Sequence, residues 1–286
     1  MHPTTSDLLC IDKLEEALPE LSERYAAASP YPHIVLDDVL HGDVIARVYE
    51  EFGRIEEGAW TNYLHLNERK YANTTKSSWG PTLEAVSAAL TSERFVAFLG
   101  ELTGFVNLQA DDVMDGGGLH RSVAGGFLNV HADFTAHHSK PGWRRRVNLL
   151  LYLNPTWESA WGGQLQLWSK DMQRAVTRVE PTGNRLFIFT TDEHSYHGHP
   201  EPLAVPPGLA RQSLALYYFT EEDHVLTRST TYRARPTDGW RGISIYLDTK
   251  ALAGYDVVKR RLRLSDEAIS RTLGWLSRAA RPFRRR

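Results

Sequence analysis

The sequence predicts an α+β protein with a mainly β core: a helical support packed against one all-β sandwich or barrel, followed by a helical tail. Three observations lead there. Apolar residues recur at helical spacing through the first third of the chain, and short β-type runs separated by Gly, Pro and Asn fill the stretch after about Phe127. No repeat, low-complexity tract or long Pro/Gly/Ser linker divides the chain, whose 286 residues suit one large domain or two small ones. A composition of 42% hydrophobic and 24% charged residues excludes disordered, collagen-like and disulfide-scaffold chains.

The elements follow in order. Leu14, Ala17, Leu18, Leu21 and Tyr25 give residues 11–29 a helical face, and the SPYP punctuation then hands over to the extended run HIVLDDVL. Ile45, Val48, Tyr49 and Phe52 place a helix over 41–52, and Leu83, Val86, Leu90, Phe95 and Phe98 place another over 82–102. Between them, WTNYLHLNERKYANTTKSSWG has neither period and reads as a loop able to touch a ligand. The strand candidates are FLNVHADF, VNLLLYLN, GGQLQLW, AVTRVEP, RLFIFTT and SLALYYFT.

Net charge is −2, but from Lys259 to Arg286 ten lysines and arginines face only Asp266 and Glu267. The body is therefore acidic and the tail basic. Ile269, Leu273 and Leu276 suggest a C-terminal helix docked on its own domain ahead of a solvated basic end, with association to an anionic surface as the alternative. The lone Cys10 cannot form an internal disulfide, which favours a reducing, cytoplasmic setting. Neither a signal peptide nor a membrane span is expected.

Chemistry concentrates in three places. In Phe127–Phe134, Asn129, His131 and Asp133 share one strand face, so an imidazole and a carboxylate converge, as two members of a two-His-one-carboxylate iron triad would. A hydrogen-bonded surface pair is the bland alternative. A third ligand could come from His194, His197 or His199, among which spacing does not choose. Finally, Arg211 and Ser213 share a strand face with Ala215 and Tyr217. An inward arginine needs an anion, which a dicarboxylic co-substrate or a structural acid could supply.

Five segments in this order resemble the Fe(II)- and 2-oxoglutarate-dependent dioxygenases, in their prolyl-4-hydroxylase-like branch: GGGLHRSVAGGFLNVHADF, RRVNLLLYLN, the Gly162-Gly163 turn with QLQLW, HSYHGHPEPL, and R-x-S-LALYYF. The resemblance spans about Gly116 to Thr220 and implies a double-stranded β-helix, or jelly-roll, with metal at the barrel mouth. It implies a single oxygenase domain over 1–250, with helical support to about 105 and the β-helix core over about 106–232, before the tail at 251–286. By the same resemblance iron falls on His131, Asp133 and His197, and the distal carboxylate of 2-oxoglutarate on Arg211, with Ser213 beside it and the Tyr152 phenol in reach. Alternation puts Asn148 and Leu150 on the face of Tyr152, as further co-substrate candidates. The implied cofactors are Fe(II), 2-oxoglutarate and O2, with ascorbate as a supporting reductant. The implied activity is hydroxylation of an amino acid, a prolyl or other peptidyl residue, or a small metabolite, with release of succinate and CO2. Asp133 argues against halogenation, for which a small residue would replace the carboxylate.

Substrate candidates flank the metal segment: Trp60, Asn62, Tyr63, His65, Lys70, Tyr71, His120, Arg121, His137 and His138. Arg144, Arg145 and Arg146 read as a solvated strand entrance, with one of them holding a substrate carboxylate as the alternative, and Trp143, Trp157, Trp161 and Trp168 as packing residues. A cupin-like metal isomerase or lyase would share the barrel without needing Arg211, and a catalytically inactive jelly-roll binding module would share it without metal. Nucleic acid is not an expected partner, because the basic residues gather far from the candidate site.

Overall fold

Helix boundaries in the first hundred residues fall where local chemistry demands a stop. In the computed structural model, which describes residues 3–250, the helix expected over 11–29 is two helices, α2 (Ile11–Glu16) and α3 (Leu18–Ala27), preceded by a short α1 (Thr5–Leu8). Pro19 lies in the first turn of α3, where its missing N–H is harmless, and so it starts a helix instead of extending one. The extended run follows as strand β1 (His33–Asp37), and then α4 (Gly42–Arg54) as expected. The helix expected over 82–102 is likewise split, into α5 (Pro81–Leu90) and α6 (Glu93–Thr103). Ser92 makes the break: its Oγ accepts from the Phe95 N–H at 3.3 Å and caps α6, which ends at left-handed Gly104.

The stretch expected to be a ligand-touching loop is instead a β-hairpin, β2 (Thr61–Leu64) and β3 (Glu68–Asn73). Its alternation is hidden because β3 turns Glu68 and Lys70, not apolar groups, to its sheltered side. Then come β4 (Gln109–Ala110), β5 (Gly118–Ser122), β6 (Phe127–Ala132), β7 (Trp143–Tyr152), β8 (Leu165–Trp168), β9 (Ala175–Val179), β10 (Arg185–Thr190), β11 (His197–His199), β12 (Arg211–Glu221) and β13 (Thr231–Tyr232). The six runs read as strands are β6, β7, β8, β9, β10 and β12; β4, β5, β11 and β13 were not expected.

All pairings are antiparallel and run in the order β1-β10-β7-β12-β5-β3-β6-β11-β8-β9. The strands from β1 to β5 form one wall and those from β6 to β9 the other, with β3 pairing to both β5 and β6. The walls face each other, because Leu165 and Leu167 of β8 share a buried cluster with Phe187 and Phe189 of β10. This is the expected double-stranded β-helix.

Burial on both faces explains the near-continuous apolar run of β7. Val147, Leu149 and Leu151 point outward into a core shared with α3, α4, α5 and α6, while Asn148, Leu150 and Tyr152 point into the barrel. On β12, Leu214 and Leu216 join the same helix-side core, leaving Ser213, Ala215 and Tyr217 opposite Tyr152, Leu150 and Asn148. Residues 241–250 are helical, and Asp248 ties this helix to the hairpin: its Oδ2 accepts from Asn67 Nδ2 at 2.5 Å and lies 3.2 Å from His65 Nδ1. The helix expected from Ile269, Leu273 and Leu276, and the basic tail, lie outside the described residues. No described helix is long and apolar enough to cross a membrane.

Leu149 is fully buried between helices and sheet. Leu149→Ala should therefore lower unfolding free energy by about 2–5 kcal/mol, read as a lower urea midpoint at unchanged slope.

Candidate active site

Pairing between β6 and β11 sets His131 opposite His197, and Asp133 follows two residues after His131. The two imidazole centroids are 4.5 Å apart. His131 Nε2 lies 3.3 Å from Asp133 Oδ1, and His197 Nε2 3.5 Å from Asp133 Oδ2. One ligand atom from each residue falls within 4.8 Å of the others, and all three side chains are buried. Of the competing histidines, His194 is half-exposed beside Glu193, and His199, past a register shift that pairs it with Leu128, is not in the cluster.

The donor set suits a divalent metal. Nδ1 of His131 lies 2.9 Å from the Asn129 carbonyl, and Nδ1 of His197 lies 2.8 Å from the Ser195 carbonyl. A carbonyl can only accept, so each Nδ1 carries a proton and each Nε2 is the ring atom turned to the centre. Burial, and then the neighbouring His131, hold His197 down to about 4, so it is neutral. Burial opposes ionisation of Asp133, but Arg145, His197 and His131 outweigh it and keep the carboxyl well below its ordinary range. Two imidazoles and one carboxylate are the donors of a two-His-one-carboxylate iron centre.

Sequence reasoning missed Arg145. Read as one of three solvated arginines, it is 1% exposed. Its Nη2 donates to Asp133 Oδ2 at 3.0 Å and its Nε to Asn148 Oδ1 at 2.6 Å. Parity, the signal available in sequence, points the wrong way. Arg145 lies an odd number of positions from Asn148, but the pairing of β7 with β12 shifts by one residue between Tyr218 and Phe219, which re-aims it. Asn148, expected in the co-substrate pocket, instead commits its amide to Asp133 Oδ2 at 2.7 Å.

Deeper in the barrel, β7, β12, β5 and β3 align Tyr152, Ser213, His120 and Ala72 in one transverse row. Arg211 lies next to this row. Its Nε donates to the Gly163 carbonyl at 2.9 Å and its Nη2 to the Tyr152 hydroxyl at 3.2 Å. The arginine is 6% exposed, and no carboxylate of the described residues pairs with it. Gly163 has φ +76°, and a Cβ there would come within 2.6 Å of Leu203 and 3.2 Å of the Arg211 side chain. The turn glycine thus supplies a carbonyl to the deep cation. Leu150 lies in the row between Asn148 and Tyr152 and packs on the cluster of Phe187 and Phe189.

Residues 117–219 match the model of the 2OG-Fe(II) oxygenase superfamily. That segment holds His131, Asp133, His197 and Arg211 and carries the superfamily's signature. Among solved structures, the oxygenase is similar to a prolyl hydroxylase from Trichoplax adhaerens in complex with a hypoxia inducible factor oxygen degradation domain peptide fragment. That match has 18% identity and a TM-score of 0.54, and covers 73% of this chain and 92% of the other. A Pseudomonas putida prolyl-4-hydroxylase matches at 19% identity and a TM-score of 0.45, covering 71% of this chain and 100% of the other. No curated protein matches in sequence.

The remaining candidates of the oxygenase divide cleanly. Lys70 and His120 face the barrel interior: Lys70 Nζ lies 3.1 Å from Glu68 Oε2, and His120 stands cross-strand from Ser213. Burial, then Lys70, hold His120 down to about 3. His199 is also neutral, kept well below its usual range by burial, Arg211 and Lys70, and its buried Nδ1 has no partner. By contrast, Trp60 joins the helical core, and Arg121 stacks between Trp60 and Tyr71 while pairing with Glu57. His137 is tied to Asp111 at 3.1 Å and His138 to Asp115 at 2.8 Å, so both anchor the loop after Asp133. Asn62 is exposed, and Tyr63 packs beneath the Lys70 ammonium.

His65 bridges Glu68 at 2.9 Å and Asp248 at 3.2 Å. Burial lowers its pKa, but the two carboxylates outweigh burial and raise it above 6.5. The stabilisation is complete below the unfolded value and fades as pH rises through the folded one. The stability gap between wild type and His65→Gln should thus shrink from pH 6 to pH 9, measured by urea unfolding in each buffer.

Proposed function

We propose that this oxygenase is a hydroxylase acting on an unactivated carbon, holding iron with His131, Asp133 and His197 and 2-oxoglutarate with Arg211, Tyr152 and Ser213. The observation that carries the co-substrate assignment is the unpaired Arg211 guanidinium. A buried cation without an anion is costly, and a distal carboxylate entering the barrel supplies one. The Tyr152 oxygen accepts from Arg211, which leaves the phenol proton free to donate to the same carboxylate. The Ser213 hydroxyl stands across the strand from Tyr152 in position to join. Leu150, Leu167, Phe187 and Phe189 wall this region with apolar surface, which excludes water and strengthens the Arg211 pairing.

When bound, the iron supplies the oxidising chemistry that couples decarboxylation of 2-oxoglutarate to oxygen insertion. The residues of the chain select and orient: His131 and His197 offer Nε2, with each Nδ1 held by a backbone carbonyl, and ionised Asp133 offers the anionic donor. Lys70, His120 and His199 add polar groups to the barrel interior near Arg211. An amino acid or a peptidyl residue is the substrate class we favour, because the similar Trichoplax adhaerens protein was solved in complex with a peptide fragment.

Anaerobic addition of Fe(II) and then 2-oxoglutarate to the apo-protein should produce the weak visible charge-transfer band of a chelated keto acid. Arg211→Ala should raise the 2-oxoglutarate concentration needed by at least about a hundredfold, as expected from roughly 3 kcal/mol for a lost buried partner. A band that persists unchanged in Arg211→Ala removes the co-substrate assignment and points to cupin-type metal chemistry. His197→Ala should abolish iron binding while His199→Ala retains it, judged by iron content after desalting; the opposite pattern reassigns the third ligand.

A further inference from the structure

The two oxygens of Asp133 are treated differently by the protein. Oδ2 accepts from Arg145 Nη2 at 3.0 Å and from Asn148 Nδ2 at 2.7 Å. A carboxylate oxygen has two in-plane lone pairs, so these donors occupy both. Oδ1 has no arginine or asparagine N–H on it; its near neighbour is His131 Nε2 at 3.3 Å, itself one of the three clustered ligand atoms. Oδ2 does come within 3.5 Å of His197 Nε2, but its lone pairs are already engaged.

The donors themselves cannot swing away. The Arg145 guanidinium lies 3.3 Å from the Tyr217 ring centroid and 4.6 Å from that of Phe134. Tyr217 is held in turn by donating its hydroxyl to the Gly116 carbonyl at 3.0 Å. Arg145 Nε donates to Asn148 Oδ1 at 2.6 Å, which fixes the asparagine so that its NH2 faces Asp133. Arginine, asparagine and aspartate thus form a closed triangle, rigid on every side.

We propose that Arg145 and Asn148 are positioning residues that confine Asp133 to one-oxygen coordination, through Oδ1. This rests on the iron and 2-oxoglutarate reading above and states what keeps that site open. Three protein donors leave three of six octahedral positions, two for a chelating keto acid and one for dioxygen. A carboxylate free to bind through both oxygens would take one of the three. Holding Oδ2 with two N–H donors removes that competition without removing the charge, a role that neither donor performs by touching substrate.

The test uses the full chain loaded with Co(II), with aspartate labelled at the side-chain carboxyl, and reads the metal-dependent infrared difference spectrum. One-oxygen binding separates the symmetric and antisymmetric carboxylate stretches widely, and two-oxygen binding draws them together. The wild type should show the wide separation. Asn148→Ala and Arg145→Gln should narrow it, and Arg145→Lys, which keeps a donor, should restore it in part. The affinity of the Co(II)-loaded protein for 2-oxoglutarate should fall about tenfold in Asn148→Ala, as for loss of other metal-site supports, while Co(II) affinity changes far less. Should Arg145→Gln fail to fold, Asn148→Ala alone decides. A narrow separation in the wild type, or unchanged spectra and 2-oxoglutarate affinity in Asn148→Ala, overturns the proposal. A wild type that binds no Co(II) overturns the iron reading itself, a result distinct from either.

Discussion

A carboxylate buried as deeply as Asp133 has to be compensated, and the architecture around it is organised by that requirement. Strand β6 brings the acid beside His131, β11 brings His197 across from it, and β7 delivers Arg145 and Asn148 from the opposite wall. Each of these groups is fixed by a partner outside the cluster. Carbonyls of Asn129 and Ser195 set the imidazole tautomers, and Phe189 packs edge-on against His197 with centroids 4.8 Å apart. The barrel wall is therefore both the container of the site and its support.

A second buried charge, Arg211, is compensated only in part by protein. It has a tyrosine oxygen and a glycine carbonyl but no carboxylate among the described residues. The contrast between the two charges is informative. Where the chain completes the pairing, as at Asp133 and Arg145, the pair serves geometry. At Arg211 the charge is left without a carboxylate among the described residues, and its burial is offset only by neutral acceptors. The helices on the other side of β7 and β12 matter here, because the apolar residues they cover hold the alternation that turns Asn148, Tyr152 and Ser213 inward.

Much of this was legible in the sequence, for a physical reason. Strands buried on both faces, such as β7, β10 and β12, leave long apolar runs, and an inward His, Asp or Arg in such a run stands out as a group that has to be paired or bound. The H-x-D pair, Arg211, Tyr152 and Ser213 all stand on strands of this kind or at their ends. What escaped detection is equally patterned. The β2–β3 hairpin faces a polar cavity, so its sheltered residues are Glu68 and Lys70 and no hydrophobic period marks it. Arg145 sits in a run of three arginines, and only tertiary pairing singles out the middle one. Pro19 and Ser92 split two expected helices because a starting signal inside a long apolar pattern outranks the pattern.

Strand β3 has a particular place in this arrangement. Along the ladder of pairings among the described residues it is the one link between the two walls, meeting β5 through Tyr71, Ala72 and Asn73 and β6 through Glu68 and Arg69. The walls thus behave as two covers joined along a narrow spine. The metal donors lie on one cover and the deep arginine on the other, each braced by its own neighbours. A sheet joined at one strand puts the spacing between its metal donors and its deep arginine in the keeping of six residues.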